Sequence, residues 1–92
     1  MAERILFADA GTTFTKVSLL ERNGSTWRVR ERAWAPTTVD SPYSDVMIGL
    51  RRAIAKLERL TGIRLLSHDR LIPGTHRDQG AGQFMATSSA GG

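Results

Sequence analysis

Asp9, Gly11, Thr12, Thr13 and Lys16 fall within one short stretch and are the residue types that phosphate and magnesium chemistry needs. A carboxylate closing an apolar run, here Ile5 to Ala8 before Asp9, can orient a hydrated magnesium ion, which keeps several waters and takes few protein oxygens. Gly11 lets the backbone turn tightly and approach a phosphate closely. The turn amides and the hydroxyls of Thr12 and Thr13 can donate to phosphate oxygens, as backbone nests do for anions. Lys16 supplies a compact positive charge to the same oxygens. The plainer reading is a polar β-turn followed by an incidental lysine. Asp9 tips the balance, because an unpaired charge at an apolar strand end is costly and calls for a metal or a hydrogen-bond network.

The elements that would position these residues can be read from periodicity and turn chemistry. Ile5 to Ala10 is an apolar strand, and Thr13 to Glu21 continues with β-branched residues around Lys16, so two strands (about 4–10 and 13–21) meet across the Gly11 turn. Asn23-Gly24-Ser25 marks a tight hairpin. The third strand, about 26–35, alternates Trp27, Val29, Glu31 and Ala33 against Arg28, Arg30, Arg32 and Trp34. This predicts three arginines on one face and the two tryptophans on opposite faces.

Pro36 and Pro42 bracket a loop over Thr37 to Ser41. Ser44 is the expected N-cap of an amphipathic helix over about 45–61, with Val46, Leu50, Ala53, Leu57 and Leu60 on its apolar stripe, flanked by Met47 and Ile54. Gly62 is placed to end it. Gly49 costs on the order of 1 kcal/mol against alanine in mid-helix, which is tolerable where another backbone must come close. The stretch 67–82 loses periodicity and reads as a long mobile loop, and 83–87 as a further strand.

Composition narrows the function class. The 92 residues carry no cysteine, which excludes disulfides, thiolate metal sites and thiol nucleophiles. The apolar run before Asp9 is too short for a signal peptide or membrane span, so a cytoplasmic protein with no membrane partner is expected. The net charge is +4, and Arg51, Arg52, Lys56, Arg59 and Arg64 cluster in one stretch. That cluster reads as a solvated helix face, although it could also meet nucleic acid or an acidic partner.

No G-x-x-x-x-G-K-[ST] loop is present, and Gly80-Ala81-Gly82 runs into Met85 where a dinucleotide fingerprint needs a small residue. His68 and His76 lack any metal-motif context and read as surface histidines. The adjacency of Ser67, His68 and Asp69 carries no weight, because a hydrolytic triad is made by geometry between separate elements.

The predicted order is strand, strand, strand, helix, strand: an α/β arrangement of antiparallel three-strand meander, crossover helix and further strand. It resembles the opening half of a ribonuclease-H-like layer. The segment from Asp9 to Lys16 in turn resembles the first phosphate motif of the actin, sugar-kinase and heat-shock-protein 70 superfamily. Actin and many sugar kinases also place a lysine seven residues after the motif aspartate, as with Asp9 and Lys16 here.

More narrowly, "ILFADAGTTFTKVSLLE", "APTTVD", "SDVMIGLRRAIAKLERLTG" and "ATSSAGG", in that order, are similar to the N-terminal region of the glutamate mutase accessory family called GlmL or MutL. That family is unrelated to the mismatch-repair protein of the same name. The resemblance implies the N-terminal part of an actin-like ATPase that assists an adenosylcobalamin-dependent mutase. It implies ATP and magnesium as cofactors, with Asp9 as the magnesium-orienting catalytic acid and Gly11, Thr12, Thr13 and Lys16 on the phosphates.

Ser88, Ser89, Ala90, Gly91 and Gly92 match the family's serine-glycine block, with no role fixed beyond a place near the nucleotide cleft. Family members are several times longer, and these 92 residues lack the second phosphate loop and the adenosine-binding segment, so the chain alone is expected to be inactive. Two other readings share the topology or the loop. One is a ribonuclease-H-like nucleic-acid enzyme or binder, for which Asp9, Glu58 and Asp69 make a poor carboxylate set. The other is a sugar or acid kinase of the same superfamily.

Overall fold

A computed structural model describes residues 3–38 and 44–88. The leading apolar run forms β1 (Glu3–Ala10), which turns through residues 11–13 into β2 (Phe14–Asn23), and the Asn23-Gly24 hairpin leads into β3 (Thr26–Pro36). Helix α1 (Val46–Thr61) follows, then two short strands, β4 (Leu66–Ser67) and β5 (Arg70–Leu71), and finally β6 (Gln83–Ser88). The main sheet has the order β3-β2-β1-β6, antiparallel except for the parallel pair β1–β6. The predicted α/β order therefore stands: an antiparallel meander, a crossover helix and a strand set beside β1. Among the described residues no helix is long and apolar enough to cross a membrane.

One face of the sheet carries the core. Leu6 and Ala8 of β1, Val17 and Leu19 of β2, and Ala33 and Ala35 of β3 pack against Ala53, Ile54 and Leu57 of α1, closed below by Ile63 and Leu65. Each fully buried leucine or isoleucine contributes about 1.5–3 kcal/mol, so these side chains fix which sheet face takes the helix. Small alanines on β3 let α1 settle over β3 and β2, and its contact with β1 is slight. The helix-side face of β1 and β6 is left as an apolar groove of about 330 Å³ between α1 and the β4–β5 hairpin.

The helix buries the expected face but is capped by a different residue. Asp45, not Ser44, is the N-cap: its Oδ1 accepts from the Met47 N–H at 2.9 Å, while Ser44 has a positive φ of 51°. Its buried residues are Gly49, Ala53, Ile54 and Leu57, whereas Leu60 is 60% exposed and Met47 lies at the surface. Leu60 falls in the last turn, on the same side of the helix as the buried Gly49. A Cβ on Gly49 would sit 2.6 Å from the Pro36 carbonyl oxygen, so the glycine admits the end of β3 against the helix.

Two corrections concern β3 and the segment after α1. Register shifts between Leu19 and Leu20, where Leu19 faces Glu31 and Leu20 faces Val29, so Arg30 is an extra bulged residue. The bulge inverts the alternation on its far side. Trp27, opposite Arg22, and Trp34, opposite Lys16, consequently share the face away from α1, and both are exposed. The arginines are split instead: Arg28 lies opposite Glu21 on the helix side and Arg32 opposite Ser18 on the other.

The stretch read as a mobile loop is aperiodic but tied down. Besides the β4–β5 hairpin it holds bridges Arg64↔Gln79 and Pro73↔Ala81. Arg4, only 7% exposed, reaches into it with its guanidinium, donating to the carbonyls of His76, Arg77, Gln79 and Gly80 while its Nε meets Glu21 at 3.2 Å. His68 and His76 are exposed. The basic residues of α1 lie mostly outward, and Lys56 donates from Nζ to the Trp34 carbonyl at 2.8 Å.

Candidate functional site

The sequence places Asp9 at the end of β1 because the apolar run gives out there, and the ladder then fixes its neighbours. In register, Thr87, Asp9, Lys16 and Trp34 form one row across the sheet on the face away from α1. The adjoining row, Ser88, Ala10, Thr15 and Ala35, points to the helix side. The carboxylate and the ammonium therefore flank the 11–13 turn from the last ladder positions but one of β1 and β2. They form no ion pair among the described residues. Asp9 is half-buried, and its Oδ1 accepts from the Thr87 hydroxyl at 3.2 Å. Lys16 is exposed.

The turn itself is closed by the Gly11 N–H donating to the Phe14 carbonyl at 3.0 Å. Gly11 is not among the positive-φ glycines, so its use here is not a demand of backbone conformation. Thr12 and Thr13 are exposed at the tip. Among the described residues, their N–H groups and hydroxyls meet no protein acceptor. These outward donors, a glycine, an acid with spare lone pairs and a nearby lysine make a donor set that suits a phosphate chain with its magnesium ion. Asp9, Gly11, Thr12, Thr13 and Lys16 are thus brought together at one end of the sheet.

Two residues at the turn are absent from the sequence reading. Thr37, just past β3, donates from N–H to the Thr13 carbonyl and from its hydroxyl to the Gly11 carbonyl, both at 2.8 Å. Thr87 reaches Asp9 from β6 across a sequence separation of 78 residues. Thr37 carried a signal in hindsight, since a threonine pair directly after a strand-ending proline offers hydroxyls where the ladder stops. Thr87 had none, because only the parallel register of β6 on β1 puts it there. Ser88 lies within reach of the Ala10 carbonyl, at 3.5 Å, and Ser89, Ala90, Gly91 and Gly92 lie outside the described residues, as do residues 39–41 of the predicted loop together with Pro42 and Tyr43.

The other candidate carboxylates have different duties. Glu58 Oε2 accepts from the N–H groups of Leu65 (2.7 Å) and Leu66 (3.0 Å), holding the chain as it leaves the helix. Asp69 sits in the β4–β5 turn at a φ of 62° and lines the apolar groove. Among the described residues no three His, Asp or Glu side chains gather in a way that could hold a metal by themselves.

No curated protein matches this sequence. The family model described as MutL protein matches residues 5–92, a span that takes in the 11–13 turn, Thr37, α1 and β6. The chain belongs to the MutL protein family.

Proposed function

We propose that this chain provides the first phosphate loop of an ATP-dependent accessory protein that reactivates an adenosylcobalamin-dependent mutase of the glutamate mutase type. The observation that carries the reading is the 11–13 turn, whose outward donors stand beside Asp9 and Lys16 at the open end of the sheet. The accessory role is inferred by extension from membership of the MutL protein family, and the nucleotide from the donor set.

Magnesium-bound ATP would supply a phosphoanhydride whose cleavage can drive exchange of damaged cobalamin. The chain's own residues would do the holding. Asp9 would hold the hydrated magnesium ion, and the Thr87 hydroxyl bonds its carboxylate at 3.2 Å. The Thr12 and Thr13 donors and the Lys16 ammonium would take phosphate oxygens, which would favour charge that builds on them.

The test uses the protein encoded by the full reading frame that contains these residues. It is expected to bind Mg-ATP and to restore an inactivated mutase only when ATP is present. Asp9→Asn should slow hydrolysis about 100-fold, the scale of losing one preorganised electrostatic partner. Unchanged hydrolysis in that variant refutes the assignment of Asp9. Phosphoryl transfer to a sugar or carboxylic acid, with no effect on a mutase, would make the protein a kinase instead. The 92 residues alone are expected to show no turnover.

A further inference from the structure

The carbonyls at both ends of the turn are engaged by one residue. The Thr37 hydroxyl donates its single proton to the Gly11 carbonyl at 2.8 Å, and the Thr37 N–H donates to the Thr13 carbonyl at 2.8 Å. With that proton committed, the 3.0 Å contact between the Thr15 and Thr37 hydroxyls must have Thr15 as donor. Thr15 is fully buried, so its hydroxyl depends on this partner. In a planar trans peptide the C=O and the following N–H point in opposite directions. Drawing the Gly11 carbonyl toward Thr37 therefore turns the Thr12 N–H away from it, toward solvent.

The next residue anchors the arrangement. Thr38, also buried, donates from its hydroxyl to the Asp45 carbonyl at 2.6 Å and accepts from the Gly49 N–H at 2.8 Å. Thr37 is thereby held between the turn and the first turns of α1, so its position is set by the packed helix rather than by an exposed loop.

From these contacts we infer that Thr37 is a positioning residue for the phosphate loop: it aims the Thr12 N–H at the anion without touching the ligand. The inference rests on the nucleotide reading above and adds a residue to it. It predicts a selective defect, because a misaimed amide weakens the hold on phosphates and leaves contacts to the nucleoside alone.

The experiment measures binding of Mg-ATP and of adenosine to the full-reading-frame protein as wild type, Thr37→Val and Thr37→Ser, with the Thr12 amide followed by NMR. Valine keeps the shape and loses the hydroxyl, whereas serine keeps the hydroxyl. Thr37→Val should lose roughly tenfold in Mg-ATP affinity, the scale of one charge-assisted hydrogen bond, while adenosine binding stays within twofold and the Thr12 amide resonance moves in the free protein. Thr37→Ser should bind both ligands like wild type.

Wild-type Mg-ATP affinity in Thr37→Val overturns the inference and leaves the nucleotide reading standing. Equal losses for Mg-ATP and adenosine, or a serine variant as impaired as valine, reduce Thr37 to a structural role and also overturn it. A wild-type protein that shows no Mg-ATP binding defeats the nucleotide reading and the inference with it.

Discussion

Arg4 and Asp9 sit near opposite ends of strand β1, and the two are treated in opposite ways. Arg4, near the start, is buried: Glu21 faces its Nε and the terminal nitrogens reach four backbone carbonyls of the segment before β6. Its backbone joins in, accepting from the Gly82 N–H and donating to the Thr75 hydroxyl. Asp9, near the other end, is half-buried and takes a single hydrogen bond, from Thr87, among the described residues. A buried guanidinium with all three nitrogens engaged within the fold is committed to holding the chain. A carboxylate with most of its lone pairs unspent retains capacity for a ligand. The difference separates the structural end of β1 from the end that can bind.

The largest effect should come from breaking the structural end. Arg4→Met removes the partner of buried Glu21 and frees four carbonyls, and should cost about 3–5 kcal/mol in urea unfolding, with proteolysis opening the segment 75–82 first. Arg30 also approaches Glu21, at 3.3 Å, and a loss below about 1 kcal/mol would mean it fully replaces Arg4.

Gly49→Ala comes next. Its new Cβ would meet the Pro36 carbonyl at 2.6 Å, and a shift of α1 away from β3 should cost about 1–3 kcal/mol in the same assay. Because Gly49 also bonds Thr38, that shift should disturb the 11–13 turn and leave the Arg4 corner alone, which amide exchange can resolve. Asp45→Ala deletes the helix cap and should lower stability by about 1 kcal/mol.

The smallest stability effect belongs to the binding end. Asp9→Asn should fall within about 0.5 kcal/mol of wild type on unfolding, because little in the fold depends on that charge. A loss as large as that of Arg4→Met would erase the contrast between the two ends.

Much of this was legible beforehand where local chemistry decides the outcome. The apolar run of β1, the Asn23-Gly24 turn and the helix ending at Gly62 are short-range features, and so is the grouping of Asp9 to Lys16 at one turn. What escaped depends on distant parts of the chain. A one-residue bulge at Arg30 puts both tryptophans on one face, and no alternation pattern contains it. Gly49 marks a close backbone approach in the sequence, but that the neighbour is the Pro36 carbonyl is decided by a contact between elements. Nothing local marks Arg4 as structural, because its partners lie in the segment 75–82. Thr87 became a partner of Asp9 only through the parallel pairing of β6 with β1.

The central claim is that the bend joining β1 to β2 receives a polyphosphate. The most direct measurement is a crystal structure of the full-reading-frame protein with magnesium and a non-hydrolysable ATP analogue. Phosphate oxygens are predicted about 3 Å from the Thr12 nitrogen, with the metal's water shell against Asp9. Nucleotide bound elsewhere, with residues 11–13 facing away from it, would contradict the account.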